Sequence, residues 1–231
     1  MAKKFTKLGN TDEAFEAGKQ AEYDAFWDAF QENGSKTIYA SAFAGVGWTV
    51  ECLKPKYKVV PEAGMFGAHR MFFFCNAFGD PIDFREIEDR FDFSNITSAS
   101  AMFSDSKINH ITIDLSNAGK LSDTFSSPYR YSGSNYLHIT LSDKNTFPST
   151  FAYNLALTDI EIDGVIAAND FNVQWSNKMT KASIISIINA LSATTSGLSV
   201  TLSATAVNNA FTTDEWNAFI VTKPNWTISL M

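Results

Sequence analysis

A short frame of apolar residues, in the order apolar-x-x-apolar-x-apolar, recurs along the middle of the chain and constrains the fold more than any other feature. It occurs at Ile108/Ile111/Ile113, Tyr136/Ile139/Leu141 and Leu157/Ile160/Ile162. In an extended strand this spacing places two side chains on one face, while the third enters from the preceding turn. A strand with one apolar face cannot bury that face alone. The frame therefore predicts repeated short strands that stack on one another.

The interval between successive frames is close to the length of one leucine-rich coil. Measured at the last apolar residue, the intervals are 20 residues from Phe93 to Ile113, 28 residues on to Leu141 and 21 residues on to Ile162. A leucine-rich coil contains roughly 20–29 residues. The intervals therefore favour a repeat architecture with irregular coils.

A second marker follows the same intervals. Phe103, Phe125 and Phe151 each precede a predicted strand. An aromatic ring at this point of each return segment is expected to fill the space between stacked coils. The frames and the rings together predict an α/β fold, an irregular leucine-rich-repeat solenoid over residues 65–231.

The composition is that of an ordered protein of one or two domains. The 231 residues are 45% hydrophobic and 14% aromatic, with 20 Phe, which excludes general disorder. The net charge of −7 argues against a nucleic-acid partner, because binding phosphate requires a clustered basic surface.

The sequence predicts no cofactor, no ordinary export and no membrane insertion. Cys52 and Cys75 match no metal or redox spacing. The start, Met-Ala-Lys-Lys-Phe-Thr-Lys, lacks the apolar run of a signal peptide, and no stretch approaches the ~18 apolar residues of a membrane span. Synthesis in the host cytoplasm and release by cell lysis, as part of a virus particle, would reconcile these features with an exposed repeat surface.

Residues 1–64 are predicted to form an attachment segment. A helix is expected from about Thr11 to Gln31, because aromatic residues recur there at the spacing of one helix face. These residues are Tyr23, Phe26, Trp27 and Phe30. The stretch 35–64 contains too much Gly and Pro for a long helix and is interpreted as an aromatic connector. The helix is expected to dock either within its own chain or on another subunit.

The C-terminal part is predicted to form two further coils with helical returns. An apolar stripe predicts a helix from about Lys181 to Ser192, and a second helix is expected over Ala206–Ala210. The pair Thr212 and Glu215 forms a capping box that should begin a third helix. Strands are expected at Val200/Leu202 and, 28 residues later, at Ile228/Leu230, where the last coil would cap the stack.

With these residues in place, the middle of the chain resembles the BspA-type leucine-rich repeats, which keep the strand frame but commonly lack the asparagine of the usual pattern. The residues at the asparagine position here are Ser116, Lys144 and Val165. The two ends resemble a group of repeat-bearing proteins encoded in phages and prophages of Gram-positive gut bacteria. The stretches concerned are Ala21–Asp28, Lys181–Ile188 and Pro224–Leu230. The resemblance implies a virion structural protein of the tail, baseplate or capsid surface, and it implies no catalytic residues.

The titratable residues show no spacing typical of a catalytic or metal centre. His69, His110 and His138 are the only histidines, and none has metal-ligand spacing. His110 and His138 alternate with the buried positions of their frames and are expected to face outward. The stretch Asp159–Gly164 has the beginning of a calcium loop, but its carboxylates depart from the motif. A strand that ends in a turn at Gly164 is the favoured interpretation.

A dense group of carboxylates offers the one route to an enzymatic function. Two carboxylates facing each other across a groove could hydrolyse a glycosidic bond. The group contains Asp83, Glu86, Glu88, Asp89 and Asp92. Because no aromatic sugar platform of recognisable spacing accompanies it, a solvated acidic turn is favoured over a hydrolase site.

These observations predict a non-enzymatic phage virion structural protein, expected to be a homo-oligomer in contact with other virion proteins. The exposed stretch Ser126–Tyr136 is interpreted either as a contact surface for a host-surface protein or glycan or as an ordinary return turn. Its candidate binding residues are Tyr129, Tyr131 and Tyr136. The alternatives are a bacterial adhesin-like repeat protein that binds a surface or glycan and, less favoured, a polysaccharide hydrolase.

Overall fold

The structure of the chain is a computed structural model that describes residues 37–38, 44, 60–61, 68–76, 80–129 and 133–231. Several predicted site residues lie outside the described residues. They are Tyr23, Phe26, Trp27, Phe30 and Tyr131. The attachment role of residues 1–64, and the boundary at residue 65, stay predictions.

Short strands dominate the described part of the chain, and three α-helices lie near its C-terminal end. The strands are β1 (Thr37–Ile38), β2 (Val60–Pro61), β3 (Ile82–Asp83), β4 (Ile108–Asn109), β5 (Ile111–Asp114), β6 (Tyr136–Leu141), β7 (Asp159–Gly164), β8 (Phe171–Asn172), β9 (Leu198–Leu202) and β10 (Trp226–Leu230). The helices are α1 (Lys181–Ala190), α2 (Ala204–Ala210) and α3 (Thr213–Ile220). Two 3₁₀ turns follow β3, at Phe84–Glu86 and Glu88–Arg90. None of the helices in the described ranges is long and apolar enough to cross a membrane.

The strands pair in parallel and form four separate sheets within the described residues. β1 pairs with β2 and β3 pairs with β4, while β5–β6–β7 and β8–β9–β10 are three-stranded. Ile113 pairs with Ile139, and Ile139 pairs with Ile162. Because parallel neighbours need a crossover connection, the segments that join β6 to β7 and β9 to β10 return from the end of one strand to the start of the next.

The predicted fold class, an irregular BspA-like leucine-rich-repeat solenoid, is wrong. The structure is mixed α/β, with short parallel sheets that are not joined into one continuous sheet. His110 adopts a left-handed backbone conformation with φ of 53° and separates β4 from β5. Beyond β7 the next element in contact is the helix α1, not a further strand. The apolar frame identified local strands, but it carried no information on where a sheet stops.

The strands themselves lie where the frames predicted them. Ile111, Ile139 and Ile160 are all buried. Tyr136 differs, because Leu137 occupies the buried position and Tyr136 is half-buried on the opposite face. Gly164, with φ of 91°, ends β7, and a Cβ there would lie 2.0 Å from the carbonyl oxygen of Leu141. The strand interpretation of Asp159–Gly164 is therefore confirmed.

A column of phenylalanine rings fills the core between the return segments. Phe103 and Phe125 stack with centroids 5.7 Å apart and planes 5° apart, and Phe125 stacks on Phe151 at 5.7 Å and 15°. Phe72 extends the column at one end, 5.1 Å from Phe103. The rings of Phe103, Phe125 and Phe151 are almost completely buried. The three rings thus lie in the core and stack on one another, although the solenoid coils between which they were expected are not found in the described part of the chain.

Buried asparagines tie distant segments together. The side chain of Asn145 is completely buried, accepts from the Ser142 N–H at 2.6 Å and donates to the carbonyl of Leu115 at 2.8 Å. It also donates to the carbonyl of Ala118. Asn145 thus links the turn after β6 to the segment after β5. The usual repeat pattern would place this asparagine one position earlier, at Lys144.

Helix α1 covers the edge of β7 with hydroxyl groups. The Ser183 Oγ accepts the Ile160 N–H and the Ser186 Oγ accepts the Ile162 N–H, each at 2.9 Å. An unpaired strand edge is a template for further pairing, so these two contacts end the sheet. The predicted capping box is also confirmed, because Thr212 and Glu215 exchange both hydrogen bonds at the start of α3.

Candidate binding face

The outer sides of β6 and β7 carry a row of polar side chains, which we call the strand face. It consists of Tyr136 and His138 on β6 and of Glu161 and Asp163 on β7. These positions alternate with buried apolar residues, so the period of two that builds the core also places the polar groups together. In the parallel register His138 lies opposite Glu161.

His138 and Asp163 are in direct polar contact on the strand face. The His138 Nε2 lies 2.9 Å from the Asp163 Oδ2. The His138 side chain is 30% exposed and that of Asp163 is 62% exposed. The carboxylate fixes the orientation of the imidazole ring while both groups stay accessible. As predicted, His138 faces outward.

Tyr136 contacts two neighbours, the His110 ring and the Glu161 carboxylate. Its ring centroid lies 5.8 Å from that of His110. Burial raises the pKa of the Tyr136 phenol, and the charge and hydrogen bond of Glu161 raise it further. The phenol therefore stays protonated and donates a hydrogen bond to the Glu161 carboxylate, which holds the ring in place.

Asp83 extends the strand face beyond His110. Its carboxylate accepts from the Arg85 Nε at 2.9 Å and lies 3.3 Å from the His110 Nδ1. The Arg85 hydrogen bonds are the main cause that lowers the pKa of Asp83, which therefore stays ionised.

The other carboxylates of the acidic group have separate environments. Burial raises the pKa of Glu88. The Asp92 Oδ1 accepts the Ser94 N–H at 3.0 Å and closes a local turn. Among the described residues, no group of three or more His, Cys, Asp or Glu could hold a metal ion.

Tyr129 and Tyr136, two of the three candidate binding tyrosines, have different neighbours in the structure. Tyr129 is 58% exposed and its ring packs on Phe74 at 5.4 Å, whereas Tyr136 packs against His110. The backbone N–H of Tyr129 donates to the Asp105 Oδ1 at 3.2 Å. Tyr129 thus belongs to the return side and Tyr136 to the strand side.

Asp105, below Tyr129, is completely buried. Its Oδ1 accepts from the Ser127 hydroxyl at 3.1 Å, while its Oδ2 has no hydrogen-bond partner among the described residues. Burial raises the pKa of this carboxyl group. Asp105 therefore holds Ser127 and the backbone at Tyr129 with one carboxylate oxygen only.

A groove of about 510 Å³ continues the strand face between β7 and α1. Asp159, Glu161 and Asp163 line it on the strand side, and Ser186 and Asn189 line it on the helix side. The Asp159 Oδ1 accepts from the Thr180 hydroxyl at 3.0 Å. The strand face is therefore polar and mainly acidic, with its side chains tied to one another.

The contacts between these groups were not predicted from the sequence. For His138 and Asp163 a sequence signal was present, because the alternation of apolar and polar residues places both side chains on the outward side of consecutive strands. It was absent for Ser183 and Ser186, because a serine on a helix does not reveal that it faces a strand edge.

No family model, curated protein or solved structure matches this chain. The resemblance of the sequence to BspA-type repeats and to phage-encoded repeat proteins therefore stays a prediction. The proposals below depend on the contacts within the chain and, for the phage particle, on that resemblance.

Proposed function

We propose that this chain is a non-enzymatic structural component of a phage particle, and that its strand face contacts a partner macromolecule. The single observation that carries the contact proposal is the strand face itself, in which His138 is paired with Asp163 and Tyr136 with Glu161. Side chains that are already fixed lose little entropy on binding, so such a surface favours recognition.

The packed core of the described residues supports the strand face. The Phe103–Phe125–Phe151 column lies in the core of the same body as β6 and β7. Close-packed interiors have low compressibility, because their side chains interdigitate in rotamer minima with few voids. The strand face is therefore presented on a rigid base, as a component of a large assembly requires.

The particle assignment is supported by the resemblance of the two chain ends to phage-encoded proteins. It predicts that the chain co-purifies with particles in a density gradient, at a fixed ratio to the major capsid or tail protein by quantitative mass spectrometry. Recovery of the chain with the bacterial cell surface instead would contradict the particle assignment and favour the adhesin alternative.

The contact role of the strand face is tested in particles that carry Tyr136→Ala with His138→Ala. We expect incorporation to be unchanged and binding to the partner surface, measured as adsorption to host cells, to fall about tenfold or more, as for loss of interface anchors. Tyr129→Ala is the matched control, because Tyr129 is an exposed tyrosine on the return side. A loss with Tyr129→Ala alone would move the contact to Tyr129 and away from the strand face.

The predicted N-terminal attachment is tested by the molecular mass of the full chain in light scattering. We expect an oligomer for the wild type and a smaller species for Phe26→Ala with Trp27→Ala, at an unchanged unfolding temperature. An unfolded double variant would indicate that these aromatics are core residues.

The hydrolase alternative has its own test. Asp83→Ala with Glu86→Ala should leave particle assembly intact under our proposal, and wild-type particles should release no reducing sugar from host cell-wall polysaccharide. Release by the wild type that disappears in the double variant would establish the enzyme instead.

A further inference from the structure

A second groove lies away from the strand face, where a return segment meets β8 and β9. Its volume is about 500 Å³, within the ~300–1,000 Å³ range of small-molecule sites. Its lining residues are Pro148, Ser149, Ala152, Tyr153, Asp170, Asn172, Gln174, Trp175, Ser199 and Thr201. No candidate site residue predicted from the sequence and no residue of the strand face lines this groove.

Two aromatic side chains form one wall of the groove. The Tyr153 and Trp175 rings have centroids 4.7 Å apart and planes 31° apart. Both residues are half-buried, so part of each ring is held in the fold and part is accessible. The face of an aromatic ring carries partial negative charge and attracts the weakly positive C–H groups of a saccharide.

Amide and hydroxyl groups line the rest of the groove. The Asn172 Oδ1 accepts the Gln174 N–H at 3.0 Å. This contact leaves the Asn172 amide nitrogen as a donor and fixes its direction. The Gln174 side chain and the Thr201 hydroxyl add neutral donors and acceptors. Sugar hydroxyl groups both donate and accept, so they match this set of side chains.

The charge of the groove limits the ligand further. Asp170 is the one charged residue among the described residues that line it. Without a lysine, arginine or histidine in that lining, an anionic sugar would meet only a carboxylate. The groove therefore suits an uncharged saccharide, in contrast to the acidic groove between β7 and α1.

The walls of the groove are preformed. The Val173 N–H donates to the Thr201 carbonyl at 2.9 Å, and the Ser176 hydroxyl donates to the Asn154 carbonyl at 3.0 Å. Phe171, next to Asn172, is fully buried against Phe151 at 5.0 Å. A site that is already ordered does not have to spend binding energy on ordering its side chains.

We infer that this groove binds a neutral saccharide, which stacks on Tyr153 and Trp175 while Asn172, Gln174 and Thr201 bind its hydroxyl groups. The inference goes beyond the proposed function, because it concerns a different surface and stands whether or not the chain belongs to a particle. Should both proposals hold, the groove would give the particle a glycan contact in addition to the strand face.

The test is isothermal titration of the purified full chain with neutral disaccharides of glucose, galactose, mannose and N-acetylglucosamine, with digalacturonic acid as the charged comparator. We expect a dissociation constant of about 0.1–5 mM for at least one neutral disaccharide, as for a small polar ligand. Absence of binding by every neutral disaccharide at about 20 mM, some four times the weakest affinity expected, would overturn the inference. Preference for digalacturonic acid would overturn it as well.

Variants locate the site. Trp175→Ala should weaken binding about tenfold, and Gln174→Ala about threefold to tenfold, since each removes one direct contact. The Gln174 side chain is half-exposed and only its backbone takes part in the Asn172 contact, so Gln174→Ala should fold normally. Tyr136→Ala, on the strand face, is the control and should bind saccharide as the wild type does.

The outcomes separate the two proposals. Equal saccharide affinity in wild type, Gln174→Ala and Trp175→Ala would place any binding elsewhere and reject the groove. Particle incorporation is measured independently of saccharide binding, so failure of one does not imply failure of the other.

Discussion

Removal of the central ring of the phenylalanine column should destabilise the protein strongly. Phe125 is 1% exposed and stacks on Phe103 and on Phe151, with centroids 5.7 Å apart in both pairs. Burial of a phenylalanine side chain is worth about 1.5–3 kcal/mol. Each stacked pair adds about 0.5–1.5 kcal/mol. We therefore expect Phe125→Ala to lower the free energy of unfolding by about 4 kcal/mol, within the range of ~3–5 kcal/mol for such substitutions.

The assay is urea unfolding of the full chain followed by circular dichroism. With a slope of about 2–3 kcal/mol per molar urea, the midpoint should fall by about 1.5–2 M. Phe125→Leu keeps most of the apolar volume but loses both ring contacts, so it should cost about 1–3 kcal/mol. The difference between the two variants separates burial from stacking.

Phe73→Ala is the matched control outside the column. Phe73 is half-buried and lies under the Arg70 guanidinium, 5.1 Å from the ring centroid. Its replacement should cost about 1 kcal/mol, the value of an exposed cation–π contact with some burial. Equal destabilisation by Phe73→Ala and Phe125→Ala would refute the claim that the column carries the core.

Three further substitutions test other parts of the fold. Burial raises the folded-state pKa of Asp105, so between about pH 3.9 and the folded pKa the folded chain keeps a proton that the unfolded chain has lost. The free energy of unfolding therefore falls as the pH rises through this range. Asp105→Asn should lack this fall and unfold at a higher temperature than the wild type at pH 7. Ser183→Ala with Ser186→Ala leaves two N–H groups of β7 without acceptors, so we expect a loss of about 2–4 kcal/mol in urea unfolding, with wild-type stability contradicting the edge role. Asn145→Ala removes the bridge to Leu115 and should cost about 2–4 kcal/mol in the same assay, whereas Lys144→Ala should change little.

Local elements could be predicted from the sequence because short-range patterns specify them. The capping box of Thr212 and Glu215 depends on residues three positions apart, and the helix from Lys181 on depends on an apolar stripe within three turns. The strands at Ile111–Asp114 and Asp159–Gly164 follow from alternation over a few residues. None of these predictions required knowledge of which segments become neighbours.

The sheet boundaries and the two grooves could not be predicted, because they depend on pairing between distant segments. Tyr153 and Trp175 are 22 positions apart and neither belongs to an apolar frame. The end of the sheet at β7 depends on the rotation of α1 that aims Ser183 and Ser186 at the strand edge. A serine in a helix has the same sequence signal whether it faces solvent or a strand.

The return segments show most clearly why the sequence does not predict which backbone groups pair. In the segment that begins at Ala101, alternate N–H groups point to the next segment: the Ala101 N–H donates to Ser122, that of Phe103 to Thr124 and that of Asp105 to Ser126. The intervening N–H groups of Met102 and Ser104 bond locally instead.

This alternation requires left-handed backbone at Ala101 and Asp105, with φ of 52° and 53°, and similar angles recur at Asp123, Ser149 and Tyr153. Such a conformation costs about 1–3 kcal/mol at a residue other than glycine. The hydrogen bonds between segments offset this cost, each contributing about 0.5–1.5 kcal/mol. Since the strained positions hold Ala, Asp, Ser and Tyr rather than Gly, the sequence does not mark them. Backbone hydrogen bonds between these segments therefore stabilise this part of the fold, and the residue types do not predict them.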